Sequence, residues 1–248
     1  MNYVEQSMVN KERREMNIIQ FPSIKVPDID MEKCWFNPGC ALSVYKPESE
    51  KKLLTLLNRY MPSIRMHNVC CHHEPGLPKG STIINNCAGC DRRFRTLYDG
   101  IQTISLWEVM DNLDGLILPD YTGMTVSVHD SCSFRVKPQV HAAVRSILGK
   151  MNIKIVESEF SGTNSICCGD NYYPALPIEK VTELQKKRAA QMPCQDVVVY
   201  CVSCIKSMYI GGKTPHHMVD LILNEDTEPQ ETRIDLYHKS VAEYISSH

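Results

Sequence analysis

The order of the cysteines constrains this chain more than any other feature. Cys40 is followed by the adjacent pair Cys70-Cys71, then by Cys87 and Cys90 of CAGC. The same order of single, pair and C-x-x-C returns as Cys132, Cys167-Cys168, and Cys201 and Cys204 of CVSC. Of the 12 cysteines, Cys34 and Cys194 stand outside the two sets. Consecutive Cα atoms lie about 3.8 Å apart, closer than relaxed disulfide geometry allows, so the adjacent pairs make poor disulfides. A buried structural cysteine acts alone, as a small hydrophobe. Two matching sets point instead to an internal duplication in which each copy gathers several sulfurs.

Both sets sit among alternating strand and helix signals. In the first, CWFN, SIRMHNV and STIINN read as strands. A helix starts near Pro47 with Leu53, Leu56, Leu57, Tyr60 and Met61 on one stripe, and CAGCDRRFRTLYDG reads as a helix stopped by Gly100. In the second, TVSVHD, NIKIVES and QDVVVY read as strands. KPQVHAAVRSILGK and PIEKVTELQKKRAAQM read as helices, and CVSCIKSMYIGG and TPHHMVDLIL as helix starts. This alternation predicts an α/β architecture of two pseudo-repeated lobes with small parallel sheets. Residues 1–32, with Pro22 and Pro27, read as an N-terminal arm whose stretch from Glu5 to Met16 has helical character. Residues 33–120 read as a first lobe, 121–230 as a second, and 231–248 as a charged C-terminal tail. Only 15 residues separate Cys71 from Cys87, against 32 between Cys168 and Cys201. The first lobe is therefore shortened, with room for a loop and a strand but no crossover helix, and its site is expected to be the more open.

In a parallel α/β sheet, ligand groups gather beyond the C-terminal ends of the strands. Each single cysteine and each C-x-x-C follows such a strand. A C-x-x-C at a helix start aims two sulfurs at one centre, and the helix N-terminus favours the thiolate that metals require. Gly169 is expected to let the backbone approach that centre. Structural zinc needs four ligands, as do ordinary iron–sulfur cubanes, while each set offers five. Spacing thus points to metal and leaves the metal open.

Composition narrows the partners. Hydrophobic residues make up 43% and charged residues 23% of the 248, and the net charge is −2, which lacks the basic footprint of a nucleic-acid binder. No apolar run approaches the roughly 20 residues of a membrane span, and the first residues lack the apolar core of a secretory signal. So many cysteines without a signal peptide favour metal or redox chemistry in the cytoplasm over a disulfide framework. No GxGxxG fingerprint is present, which places any flavin or nicotinamide on another subunit.

At VHDSC, ICCGD and VVVYCVSC the chain resembles the CCG-domain (cysteine-rich domain) family, typified by the cysteine-rich subunit of heterodisulfide reductase. It is similar, more distantly, to iron–sulfur subunits of glycolate, lactate and glycerol-3-phosphate oxidoreductases. The resemblance spans about residues 34–224. It implies two noncubane [4Fe-4S] clusters facing each other, each held by five cysteines: Cys40, Cys70, Cys71, Cys87 and Cys90 for one, and Cys132, Cys167, Cys168, Cys201 and Cys204 for the other. The implied activity is that of a disulfide reductase-like oxidoreductase. It would reduce a small disulfide or relay electrons, served by a flavin or iron–sulfur partner subunit. The chain departs from the pattern at His72, which follows the first pair where the family has Gly. Zinc in the first site, a single cluster, or a non-catalytic metal-binding module remain as alternatives.

Other residues carry weaker readings. His72 and His73 are either extra ligands, proton donors or solvated loop residues. His129 and Asp130 end a strand, with Asp130 read either as bonding a backbone amide that shapes the site or as a plain turn residue. His216 and His217 read as helix-start residues, Cys34 and Cys194 as unligated. Lys186, Lys187 and Arg188 read as a solvated helix face.

Overall fold

The computed structural model describes residues 29–229 and 231–248; the helical stretch and the two prolines expected in the N-terminal arm lie outside them. The first lobe runs β1 (Cys34–Asn37), α1 (Cys40–Tyr45), α2 (Pro47–Asn58), β2 (Arg65–Met66), β3 (Thr82–Asn85), α3 (Ala88–Leu97), β4 (Gln102–Ser105) and α4 (Leu106–Asp111). Pro47 opens α2, where its missing N–H costs nothing, and Leu53 and Leu57 are buried from the same helix. Each such burial contributes about 1.5–3 kcal/mol. All four residues of β3 are buried, as a central parallel strand requires.

The second lobe repeats this plan. It runs β5 (Thr125–His129), a 3-10 turn at Cys132–Phe134, α5 (Pro138–Lys150), β6 (Lys154–Ile155), α6 (Ile178–Ala190), β7 (Asp196–Val199), α7 (Val202–Ile210), β8 (Thr214–His217) and α8 (Met218–Leu223). The strand orders are β2-β1-β3-β4 and β6-β5-β7-β8, and every pairing is parallel. The two lobes expected from the duplication are thus present, with the same topology. A final helix, α9 (Ile234–Ser247), forms within the segment read as a tail and packs on α1.

Two local readings are corrected. TPHH is the edge strand β8, so His216 lies in a strand, while His217 both ends it and stands as the N-cap of the helix that begins at Met218, as a helix-start residue does. Its first-lobe counterpart, β4 followed by α4, escaped the sequence reading. Ser105 caps α4 there in a capping box with Glu108.

The lobes meet by a reciprocal exchange. α1, which begins at Cys40, packs on α7, which follows Cys201; the turn beginning at Cys132 packs on α3, which follows Cys87. Likewise α2 packs on α8, and α5 on α4. The ion pairs cross in the same way. Lys46, just before Pro47, reaches the fully buried Asp220 of the second lobe at 2.8 Å. Lys137, just before Pro138, reaches Asp91 at 2.9 Å and Glu108 at 3.7 Å in the first. Asp220 and Glu108 occupy the same third position of α8 and α4.

Candidate metal centres

The cysteines of each set come together at the strand ends. Hydrogen bonds between sulfurs link Cys40, Cys70, Cys71, Cys90 and Cys87 in that order. In the second lobe they link Cys132, Cys167, Cys168, Cys204 and Cys201, so the chain of contacts is the same: single, pair, then the C-x-x-C from its second cysteine to its first. The Cys204 and Cys168 sulfurs are 3.7 Å apart. All ten are free thiols, and the second sulfur of each pair and of each C-x-x-C is buried.

Thiols this close cannot all ionise without a positive charge among them. Donating to Cys70 and Cys71, and then burial, push Cys40 and Cys90 above the ordinary thiol range. Accepting from Cys40 holds Cys70 below it. In the second set Cys167 and Cys204 are pushed up by donating to neighbouring sulfurs and by burial, and Cys168 is held down by accepting from Cys167. Sulfurs that share protons in this way release them when a cation takes the protons' place. Cysteine groups this close suggest metal or cluster binding, and the tightest grouping of donor atoms lies in the second lobe.

The surroundings of the two sites differ. At the first, Gly39 adopts φ +80°, and a Cβ there would lie 2.7 Å from the Cys87 Cβ and 3.4 Å from the Cys90 sulfur. A cavity beside this site is lined by Asn37, Cys40, Ser43, His67, Cys70 and Tyr244, among others. The following loop is exposed at His72, His73, Glu74 and Lys79. His72 is therefore a surface residue, while the His73 ring meets the Ile245 carbonyl of α9 at 2.7 Å.

At the second site the pair is backed by a helix. The Gly169 N–H donates to the Cys167 sulfur at 3.4 Å, so the backbone does reach the centre here. The missing Cβ has another use: at φ +105° it would lie 2.9 Å from Leu184 Cβ on α6. Arg188, from the run read as a solvated face, is only 1% exposed. Its Nε donates to His129 Nδ1 at 3.2 Å and its Nη2 to the Phe160 carbonyl at 2.8 Å. Helix geometry explains the error, since within Lys186-Lys187-Arg188 one residue must face inward, and a charge run does not say which. His129 in turn hydrogen-bonds Cys168, and donor atoms of His129, Cys168 and Cys204 lie within 4.8 Å of one another.

Of the two readings of Asp130, the backbone-amide bond is the one the structure shows, at Gly162, with side-chain donors added. Asp130 accepts from the Gly162 N–H, the Tyr200 hydroxyl at 2.8 Å and Arg145 at 2.8 and 3.0 Å. Burial disfavours its charge, but His141 and Arg145 outweigh that and hold the carboxyl well below the usual range. Asp170, two residues after the second pair, meets Lys206 and, at 3.1 Å, His238 of α9. α9 thereby touches both sites, since the Tyr237 hydroxyl meets Ser203 at 2.8 Å and Cys70 N–H donates to the His248 carbonyl at 3.3 Å. Tyr237 lies within electrostatic reach of both Cys201 and Cys40, and burial pushes its phenol well above the ordinary range.

Cys34 is buried on β1, where burial pushes its thiol up to about 12, and Cys194 lies before β7; neither belongs to the sulfur chains. His216 pairs with Asp196 at 2.8 Å and His217 is fully buried. Among the described residues no helix is long and apolar enough to cross a membrane. No protein-family model and no curated protein matches the chain.

Proposed function

We propose that this protein is an iron–sulfur redox subunit of the CCG-domain type, resembling the cysteine-rich subunit of heterodisulfide reductase. Each set of five cysteines would hold one noncubane [4Fe-4S] cluster. The observation that carries this reading is the identical five-sulfur chain at the strand ends of two lobes that share a topology. A four-ligand metal would leave one sulfur of each chain idle.

When bound, such a cluster supplies one-electron steps and an iron at which a sulfur ligand binds. This chain's own residues do the rest. The cysteines hold the groups in a partly dry crevice, and Tyr237 keeps a proton on its hydroxyl between the two sites. A disulfide substrate takes two electrons from a partner subunit and two protons, and leaves as two thiols. An electron relay to a partner uses the same centres without the substrate. Cysteines kept from disulfide formation to hold such groups suit the cytoplasm.

One observation favours a second reading. His129, Cys168 and Cys204 form a trio of the kind that binds zinc, which would make the second lobe a structural metal module.

Iron, acid-labile sulfide and zinc per chain, measured on anaerobically purified protein together with EPR of the oxidised sample, separate these readings. About eight irons and eight sulfides are expected for two four-iron clusters. About half that amount would mean one cluster. Zinc alone, with no iron after reconstitution, would overturn the redox reading.

A further inference from the structure

Resting on the two-cluster reading, we infer that His129 and Arg188 are positioning residues that tune the second centre: Arg188 sets the tautomer of His129, and His129 donates a hydrogen bond to the Cys168 sulfur. The second centre thereby takes the higher reduction potential, and electrons entering at either site settle there.

Arginine has donors only, so the Arg188 Nε contact of 3.2 Å makes His129 Nδ1 an acceptor. A neutral ring with Nδ1 as acceptor carries its proton on Nε2. The ring's hydrogen bond to Cys168 then falls to Nε2–H, which points a donor, and no lone pair, at the sulfur. His129 consequently supports a ligand instead of acting as one, which removes the histidine from the zinc trio. A donor aimed at a ligating sulfur, with a buried cation behind it, stabilises the more negative reduced state and raises the potential. Arg188 is 1% exposed, so little solvent screens it.

The first lobe lacks this pairing: its nearby cation, Arg93, donates to the Cys71 carbonyl at 3.1 Å and orients no ring toward a sulfur. Asn37 ends β1 three residues before Cys40, as His129 ends β5 three residues before Cys132. Its amide donates to the His67 carbonyl at 3.1 Å instead. No helix stands between β2 and β3 to supply the arginine that α6 carries between β6 and β7.

The test is a redox titration of the anaerobic, cluster-loaded protein followed by EPR, with Cys71→Ser used to assign the first-site signal. His129→Met removes the donor. His129→Gln keeps an amide N–H at nearly the place of Nε2. Arg188→Met frees the tautomer, and because it empties a buried site the two His129 variants carry the result if it fails to fold. His129→Met is expected to shift the oxidised-to-reduced ratio of the second centre about tenfold toward oxidised, about 59 mV for one electron. His129→Gln should restore most of that, with the first centre unmoved throughout. Equal potentials in the wild type, a His129→Met protein that titrates unchanged, or a Gln variant no better than Met would overturn the inference while the two-cluster reading stands. Chains that bind no iron would overturn both.

Discussion

The two lobes share a strand order, a sulfur chain and a pair of crossed lysines, yet differ in one crossover helix. Between the second pair and its C-x-x-C the second lobe inserts α6; the first lobe spans the same interval with an exposed loop. The helix leaves the ligand set alone and changes what stands behind it. Through α6 the second site acquires a backing against Gly169 and the buried Arg188 that orients His129. Without such a helix the first site keeps a side cavity and a surface loop held by α9. Duplication thus preserves the cysteine arrangement while the connection lengths set what stands behind it; the sulfurs themselves are no more exposed in the first lobe, where Cys70, Cys71 and Cys90 are buried, than in the second, where Cys168 and Cys204 are.

The largest expected effect breaks the comparison outright. Replacing Cys167 and Cys168 together by serine should remove all metal of the second site and leave the first loaded; Cys70 and Cys71 should behave in mirror image. Metal and sulfide analysis of both variants checks this, and loss of all metal from either one would mean that the lobes do not load independently.

The crossed lysines test whether the lobes hold each other equally. Lys137→Met leaves the fully buried Asp91 with only Arg95, at 3.6 Å, and takes the cation away from Glu108, so it should cost about 3–5 kcal/mol in urea unfolding. Lys46→Met should cost less, about 1–3 kcal/mol, because Lys46 is partly exposed and Asp220 keeps hydrogen bonds from Tyr45 and Thr227.

Acidification should separate the lobes next. Burial holds the His217 imidazole down to about 4, against about 6.5 in an unfolded chain. Between those values the unfolded chain binds a proton that the folded one excludes. Stability therefore falls as pH drops from about 6.5 to 4, by about 3 kcal/mol in all, and is full above 6.5. The first lobe has Ser105 at the matching strand end, so this position contributes no such dependence there, although burial also holds the first lobe's His67 below the ordinary range. His217→Met should flatten the pH profile of stability in that window.

Smallest is the contrast at the residue before each single cysteine. Gly39→Ala should cost about 1–3 kcal/mol and weaken the first site, through its positive φ and its contact with Cys87. Ser131→Ala, at φ −64° in the second lobe, should stay within about 0.5 kcal/mol. Denaturant midpoints of the two variants give the comparison.

Much of this was legible in the chain. Local rules determined the α/β alternation and both sets of cysteines, because strand and helix periods and C-x-x-C spacing are short-range patterns. The 15- and 32-residue intervals already announced which lobe lacks a helix. A signal for the lobe contact was present too, in the Lys-Pro that follows both Cys40 and Cys132, but its meaning depends on partners more than 40 residues away in Asp91 and Asp220. Long-range packing alone decided that β8 takes the edge of its sheet, that Arg188 turns inward to His129, and that α9 lies against both sites. Desolvation and hydrogen bonding between distant elements act only once the chain is folded, so residue type and spacing carry no record of them.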